Sequence, residues 1–217
     1  MAAIAASAVT AMAQSSVYSL NIVGYAIVPL PAGYSLMANP LSAGATNGAA
    51  EIGLTITGEQ ILTWNGKGFN AVLYDPTTIG WQDLSGNPSV PPSLPPGTGF
   101  FFFNPNAATN VTFVGQVVPN PSSTNKLSLP AGYSLVGSAL PATVTNITSA
   151  PVSLPAITGM QVLAWTGSGY DSRLYDPTTI GWQDLNGNAK TAPTYTIGEG
   201  FFFFNPGSAT TWPQSLP

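Results

Sequence analysis

The sequence predicts an all-β protein of two tandem, sequence-related modules, each a β-sandwich or barrel-like unit, packed as a pseudo-twofold pair. Three observations predict this. Long stretches of the first half return in the second: LPAGYSL at 30–36 and 129–135, TGEQILTWNGKGF at 57–69 as TGMQVLAWTGSGY at 158–170, and LYDPTTIGWQDL at 73–84, unchanged, at 174–185. Within each half, short alternating runs rich in Val, Ile, Thr, Tyr, Phe and Trp are bounded by Gly, Pro and Asn clusters, the pattern of half-buried strands between tight turns. Finally, GTGFFFFNP at 97–105 comes back as GEGFFFFNP at 198–206, and four consecutive phenylalanines suit a strand covered on both faces.

The elements follow in order. SVYSLNIVGYAIVPL, 16–30, alternates well enough for a long first strand. GYSLMANP, EQILTWN, GFNAVLYD, IGWQD, GFFFFNP and NVTFVGQVV follow as further strands of module one, and module two repeats most of them. Asn65-Gly66-Lys67-Gly68 and Thr166-Gly167-Ser168-Gly169 read as hairpin turns, because Gly and Asn adopt positive φ at little cost. Only AGATNGAAEIG, 43–53, offers a helical turn, and its glycines argue against more. The later matches share an offset of 101 residues and the first is offset by 99. PNPSSTN, 119–125, is the linker, so the modules span about 16–120 and 121–217.

The phenylalanine strands set the packing problem. Phe100 and Phe102 face one way and Phe101 and Phe103 the other, as do Phe201 and Phe203 against Phe202 and Phe204. A two-layer sandwich buries only one of these faces. Burying a Phe contributes roughly 1.5–3 kcal/mol, so the second face demands a cover. The sister module is the expected cover, and a second copy of the chain the next. Gly99 and Gly200 fit a close backbone approach at the strand start.

Composition bounds the function. The chain has 217 residues, of which 6% are charged, with a formal net charge of −4. Lys67, Lys126, Arg173 and Lys190 are too few and too scattered to track phosphates, which argues against nucleic acid. With no Cys and no His, disulfides, Cys/His zinc sites and imidazole-based triads are excluded. Residues 1–13, MAAIAASAVTAMA, end in an A-x-A pattern and read as a signal peptide. No Lys or Arg precedes this apolar run, which leaves room for an upstream start. Thirteen residues cannot span a bilayer, which needs about 20. The expectation is a secreted or cell-surface protein without a membrane span.

At LPAGYSL, WNGKGF, YDPTTIGWQDL and G(T/E)GFFFFNP the chain resembles secreted bacterial tandem β-repeat proteins, whose members pair a PAG-(Y/F)-SL opening with a later GxGFF strand. The resemblance covers nearly all of the chain after residue 13 and implies export and tandem β modules. Its motifs are structural and bring no catalytic residue with them.

The chemistry-bearing candidates are few. Asp75 and Asp83, with their copies Asp176 and Asp184, could form acid/base pairs, as in glycoside hydrolysis. The stronger reading is that Asp-Pro-Thr-Thr is a turn in which the Asp oxygen accepts a backbone N–H. These acids could also offer oxygen ligands to calcium, but no loop has the spacing of a calcium loop, so no metal and no cofactor are expected. Trp81, Gln82 and Asp83, with Trp182, Gln183 and Asp184, are the candidates for stacking on a sugar, a flat indole beside hydrogen-bonding side chains. Trp64 and Trp165 end an apolar strand and read as core. Asn110-Val111-Thr112 and Asn146-Ile147-Thr148 fit a glycosylation pattern of little weight in a bacterial setting.

The function this predicts is a non-enzymatic structural protein, a self-assembling cell-surface or extracellular filament subunit whose partners are copies of itself. The alternative is a pair of carbohydrate-binding modules for surface or matrix polysaccharide. Pro213 interrupts TTWPQSLP, so module two is expected to lack a full closing strand, while module one has a surplus at its start. Ser16–Val28 of one copy is therefore expected to add, head to tail, to the edge of module two in the next.

Overall fold

A computed structural model describes residues 23–118 and 125–215. The signal-peptide reading of 1–13, the start of the first strand and most of the linker lie outside the described residues. Module one contains β1 (Val23–Leu30), β2 (Gly33–Ala38), β3 (Gln60–Trp64), β4 (Phe69–Asp75), β5 (Gly80–Asp83), β6 (Gly99–Asn104) and β7 (Thr109–Gln116). Module two repeats the order as β8 (Asn125–Leu129), β9 (Gly132–Val136), β10 (Gln161–Trp165), β11 (Tyr170–Asp176), β12 (Gly181–Gln183), β13 (Phe201–Asn205) and β14 (Thr210–Gln214). The class is all-β, as expected. The stretch 43–53 forms turns, with Glu51, Ile52 and Leu54 donating back to Gly48 and Ala49 carbonyls.

Each module is a five-stranded antiparallel sheet faced by a two-stranded ribbon. The orders are β2-β6-β3-β4-β5 with β1-β7, and β9-β13-β10-β11-β12 with β8-β14. The phenylalanine strand therefore sits inside its sheet, flanked on both sides, where a continuous apolar run belongs. Phe100 and Phe102 point into the module-one core, against Ala26, Val28 and Leu30 of β1 and Val111 and Phe113 of β7. Phe201 and Phe203 do the same beneath Trp212 and Leu129 in module two. The hairpin turns form as expected: Asn65 N–H donates to the Gly68 carbonyl at 3.0 Å and Thr166 N–H to the Gly169 carbonyl at 2.9 Å. Gly66 and Gly167 take the positive φ these turns require.

Asn104 and Asn205, each before a proline, are buried and close their strands by side-chain bonds. The Asn205 amide donates to the Leu129 carbonyl at 3.1 Å and the Ser208 carbonyl at 2.8 Å, and its oxygen accepts from Gly207 N–H. Asn104 does the same between Pro31, Ala107 and Asn106. One polar side chain thus fastens the end of the sheet to the start of the facing hairpin.

The expected gap in module two is not there. β14 pairs with β8 from Thr210↔Leu129 to Gln214↔Asn125, and Pro213 sits opposite Lys126 within the ladder. Proline is tolerated because this is an edge strand. The described part of the first strand is not surplus either: β1 pairs with β7 of its own chain from Val23↔Gln116 to Leu30↔Thr109. The inward side chains Ala26, Val28 and Leu30 decide that, since they complete the module-one core.

Candidate functional site

The second face of each phenylalanine strand is covered by the sister module. Leu36 and Phe101 of module one pack with Leu135 and Phe202 of module two in a separate apolar cluster, flanked by Leu62, Trp64, Leu163 and Trp165. The contacts are reciprocal. Trp64 meets Phe202 edge-on at 5.3 Å between centroids, and Trp165 meets Phe101 at 5.3 Å. The Trp64 indole N–H donates to the Tyr133 carbonyl at 3.1 Å, and that of Trp165 to the Tyr34 carbonyl at 2.9 Å. Trp64 and Trp165 are thus half-buried seam residues rather than module core. Phe103 and Phe204 lie at the rim, against Tyr34 at 4.8 Å and Tyr133 at 4.9 Å.

Backbone bonds stitch the same seam. Ala38 N–H donates to the Gly198 carbonyl at 2.9 Å, Gly137 N–H to Gly97 at 3.0 Å, and Gly200 N–H to Leu36 at 3.0 Å. Glycine is required at this approach. A Cβ on Gly99 would lie 2.7 Å from the Val136 nitrogen, and one on Gly200 would collide with the Met37 carbonyl. The sequence located this seam through the Phe periodicity and the two glycines. It missed Leu36, Leu135, Tyr34 and Tyr133, although GYSL shares the phase of the central phenylalanine through the pairs Leu36↔Phe101 and Leu135↔Phe202.

The sugar-stacking candidates need correction. Trp81 is 9% exposed and Trp182 8%, each on the core face of its short strand. Tyr74 packs on Trp81 at 5.1 Å and Tyr175 on Trp182 at 5.2 Å, so neither indole presents a face to a ligand. The strands β5 and β12 point Trp inward and leave Gln82 and Asp83 half-buried, while Gln183 is buried and Asp184 half-buried.

The carboxylates serve turns. Asp75 accepts from the Thr77 hydroxyl at 2.6 Å and its N–H at 2.9 Å, and Asp176 from Thr178 at the same distances. Asp83 accepts from Asn87 through both side-chain and backbone N–H, and from Ser85 N–H, and Asp184 does so from Asn188 and Asn186. The Thr side chains hold Asp75 and Asp176, and the Asn side chains Asp83 and Asp184, below the usual carboxylate range. Such groups are poor proton donors near neutrality. Two glutamates go the other way: Glu59 is fully buried and pushed up to about 7 by burial, and burial also raises Glu199. Among the described residues, no three His, Cys, Asp or Glu side chains converge to hold a metal ion.

Two surface features bear on binding and association. A groove of about 360 Å³ opens at the seam, lined by Trp64, Asn65, Thr98, Leu127 and Tyr133. The β1–β7 ribbon exposes Tyr25, Ile27 and Val23 on its outer face, with Val114 opposite Tyr25. Among the described residues, no helix is long and apolar enough to cross a membrane. No family model, curated protein or solved structure matches this chain.

Proposed function

We propose that this chain is a non-enzymatic structural protein of the cell surface or extracellular space that associates with copies of itself. The observation that carries the reading is the β1–β7 ribbon, sixteen residues without one charge, whose outer face carries an apolar stripe along β1, Val23, Tyr25 and Ile27, joined by Val114 of β7. Exposed ribbons are ordinarily protected by charge, especially Lys. A net charge of −4 over 22.3 kDa adds little repulsion between copies. The engagement of Asp75, Asp83, Asp176 and Asp184 in turns supports a structural rather than catalytic use of the repeated motif. The A-x-A ending at Ala13 and the resemblance to secreted β-repeat proteins support export. Sedimentation velocity over a wide concentration range, with negative-stain microscopy, tests the association. A monomer at every concentration would refute it.

A carbohydrate reading keeps one foothold, moved from Trp81 and Trp182 to the seam groove. There the edge of Trp64 and the ring of Tyr133 stand beside Asn65 and Thr98, aromatic and amide groups of the kind that hold a sugar. A glycan array with the wild type and Tyr133→Ala tests it. Binding that survives the substitution, or no binding at all, rules out the groove.

A further inference from the structure

β1 pairs with β7 along one edge, and among the described residues no strand pairs with its other edge. No further backbone hydrogen bond from the described residues reaches Val23–Leu30 there. In a two-stranded antiparallel ribbon, alternate N–H and C=O groups of each strand point away from the partner, so this edge offers a row of unpaired donors and acceptors. Only an extended strand satisfies such a row. The side chains along it are Val23 at 68% exposure, Tyr25 at 73% and Ile27 at 58%.

Module two shows what a protected version looks like. By the 99-residue offset of the PAG motif, Ile27 corresponds to Lys126, Pro29 to Ser128, Tyr25 to Thr124 and Val23 to Ser122. Within the described strands, the same architecture carries Lys126 and Ser128 on β8 and an apolar, charge-free stripe on β1. Fold requirements therefore do not explain the stripe on β1.

We propose that the free edge of β1 pairs antiparallel with β1 of a second copy, centred on Tyr25, giving a continuous β7-β1-β1-β7 sheet across a twofold axis. This rests on the self-association reading and names its surface. A strand edge is self-complementary, and the ribbon brings no like charges together when two copies meet. With Tyr25 opposite Tyr25 of the second copy, Val23 falls opposite Ile27, and apolar side chains pair on the same face. The pairing stops at Ile27. Pro29 has no N–H to give, and Val28 packs against Gly198 of module two. The open geometry also agrees with the residue types: Tyr and β-branched residues are strong cross-strand partners.

The chain has no cysteine, which makes the test direct. Residues directly opposite in an antiparallel pair lie about 4.5–5.5 Å apart at Cα, within disulfide reach. Under mild oxidation, Tyr25→Cys is expected to form a covalent dimer at concentrations where Val90→Cys, at a 78% exposed loop position, does not. Sedimentation equilibrium of Ile27→Lys, which installs the residue module two already carries, is expected to weaken dimerisation by at least about tenfold, with Val90→Lys unchanged. Tryptophan fluorescence confirms that each variant is folded. If the wild type associates but Ile27→Lys does so equally, or Tyr25→Cys fails to cross-link, the β1 surface is wrong while self-association stands. A wild type that stays monomeric overturns both.

Discussion

Glu59 and Met160 occupy the same place in the two modules, and they do not behave alike. The Glu59 side chain is fully buried, with one carboxylate oxygen accepting from Ile56 N–H and the other without a partner. In module two the Met160 sulfur meets Ile157 N–H at 3.3 Å, so the position accepts an apolar side chain. Burial raises Glu59 from 4.5 to about 7, which means the folded state holds this proton more tightly than the unfolded chain. Stability from this group is fully present below about pH 4.5, falls as pH rises towards 7 and is level above, a loss on the order of 3 kcal/mol. The urea midpoint of the wild type is therefore expected to be lower at pH 8 than at pH 5. Glu59→Met should shrink that difference, leaving the smaller share that the raised Glu199 contributes with the same sign, and raise the midpoint at pH 8; an unchanged pH dependence would show the Glu59 carboxyl is not buried. At the seam, Trp64→Phe keeps an aromatic ring but loses the bond to Tyr133 and part of the packing on Phe202, an expected cost of at least about 1 kcal/mol in urea denaturation.

At the scale of elements, strand β1 and its counterpart β8 show how far the sequence could be read. Alternation placed most strands and the repeat placed their copies, because period-two burial is a local property of the chain. Ribbon closure was not local. TTWPQSLP looked broken at Pro213, yet Trp212 fills the module-two core and donates its indole N–H to the Val152 carbonyl at 2.8 Å. Gln214 then anchors the end, accepting from Ser138 Oγ and Ala139 N–H. Long-range side-chain bonds of that kind leave no periodic trace. Trp81 and Trp182 misled for the opposite reason: a Trp beside Gln and Asp reads alike in an exposed platform and in a short strand with one buried residue. The core role of β1 has a measurable consequence. A chain beginning at Pro29 loses Ala26 and Val28 and strips β7 of its partner, so module one is expected to unfold, seen as loss of near-ultraviolet circular dichroism. Retained signal would mean the first strand is dispensable. Trp212→Ala is expected to cost about 3–5 kcal/mol in module two, measured by urea unfolding.

For the whole molecule, the seam decides whether two modules behave as one. Burying Leu36, Phe101, Leu135 and Phe202 contributes on the order of 6–12 kcal/mol as an upper bound, comparable to the stability of a whole domain. Neither module is then expected to survive long once the other unfolds. Gly200→Ala should weaken this coupling, because the new methyl meets the Met37 carbonyl and forces the sheets apart. Phe102 offers the most direct measurement, since it is buried in the module-one core and takes no part in the seam cluster. Phe102→Ala should destabilise module one alone by about 3–5 kcal/mol. In differential scanning calorimetry, one transition moving down as a whole is the expected result. Two transitions, the upper at the wild-type temperature, would contradict a molecule held together by its phenylalanine seam.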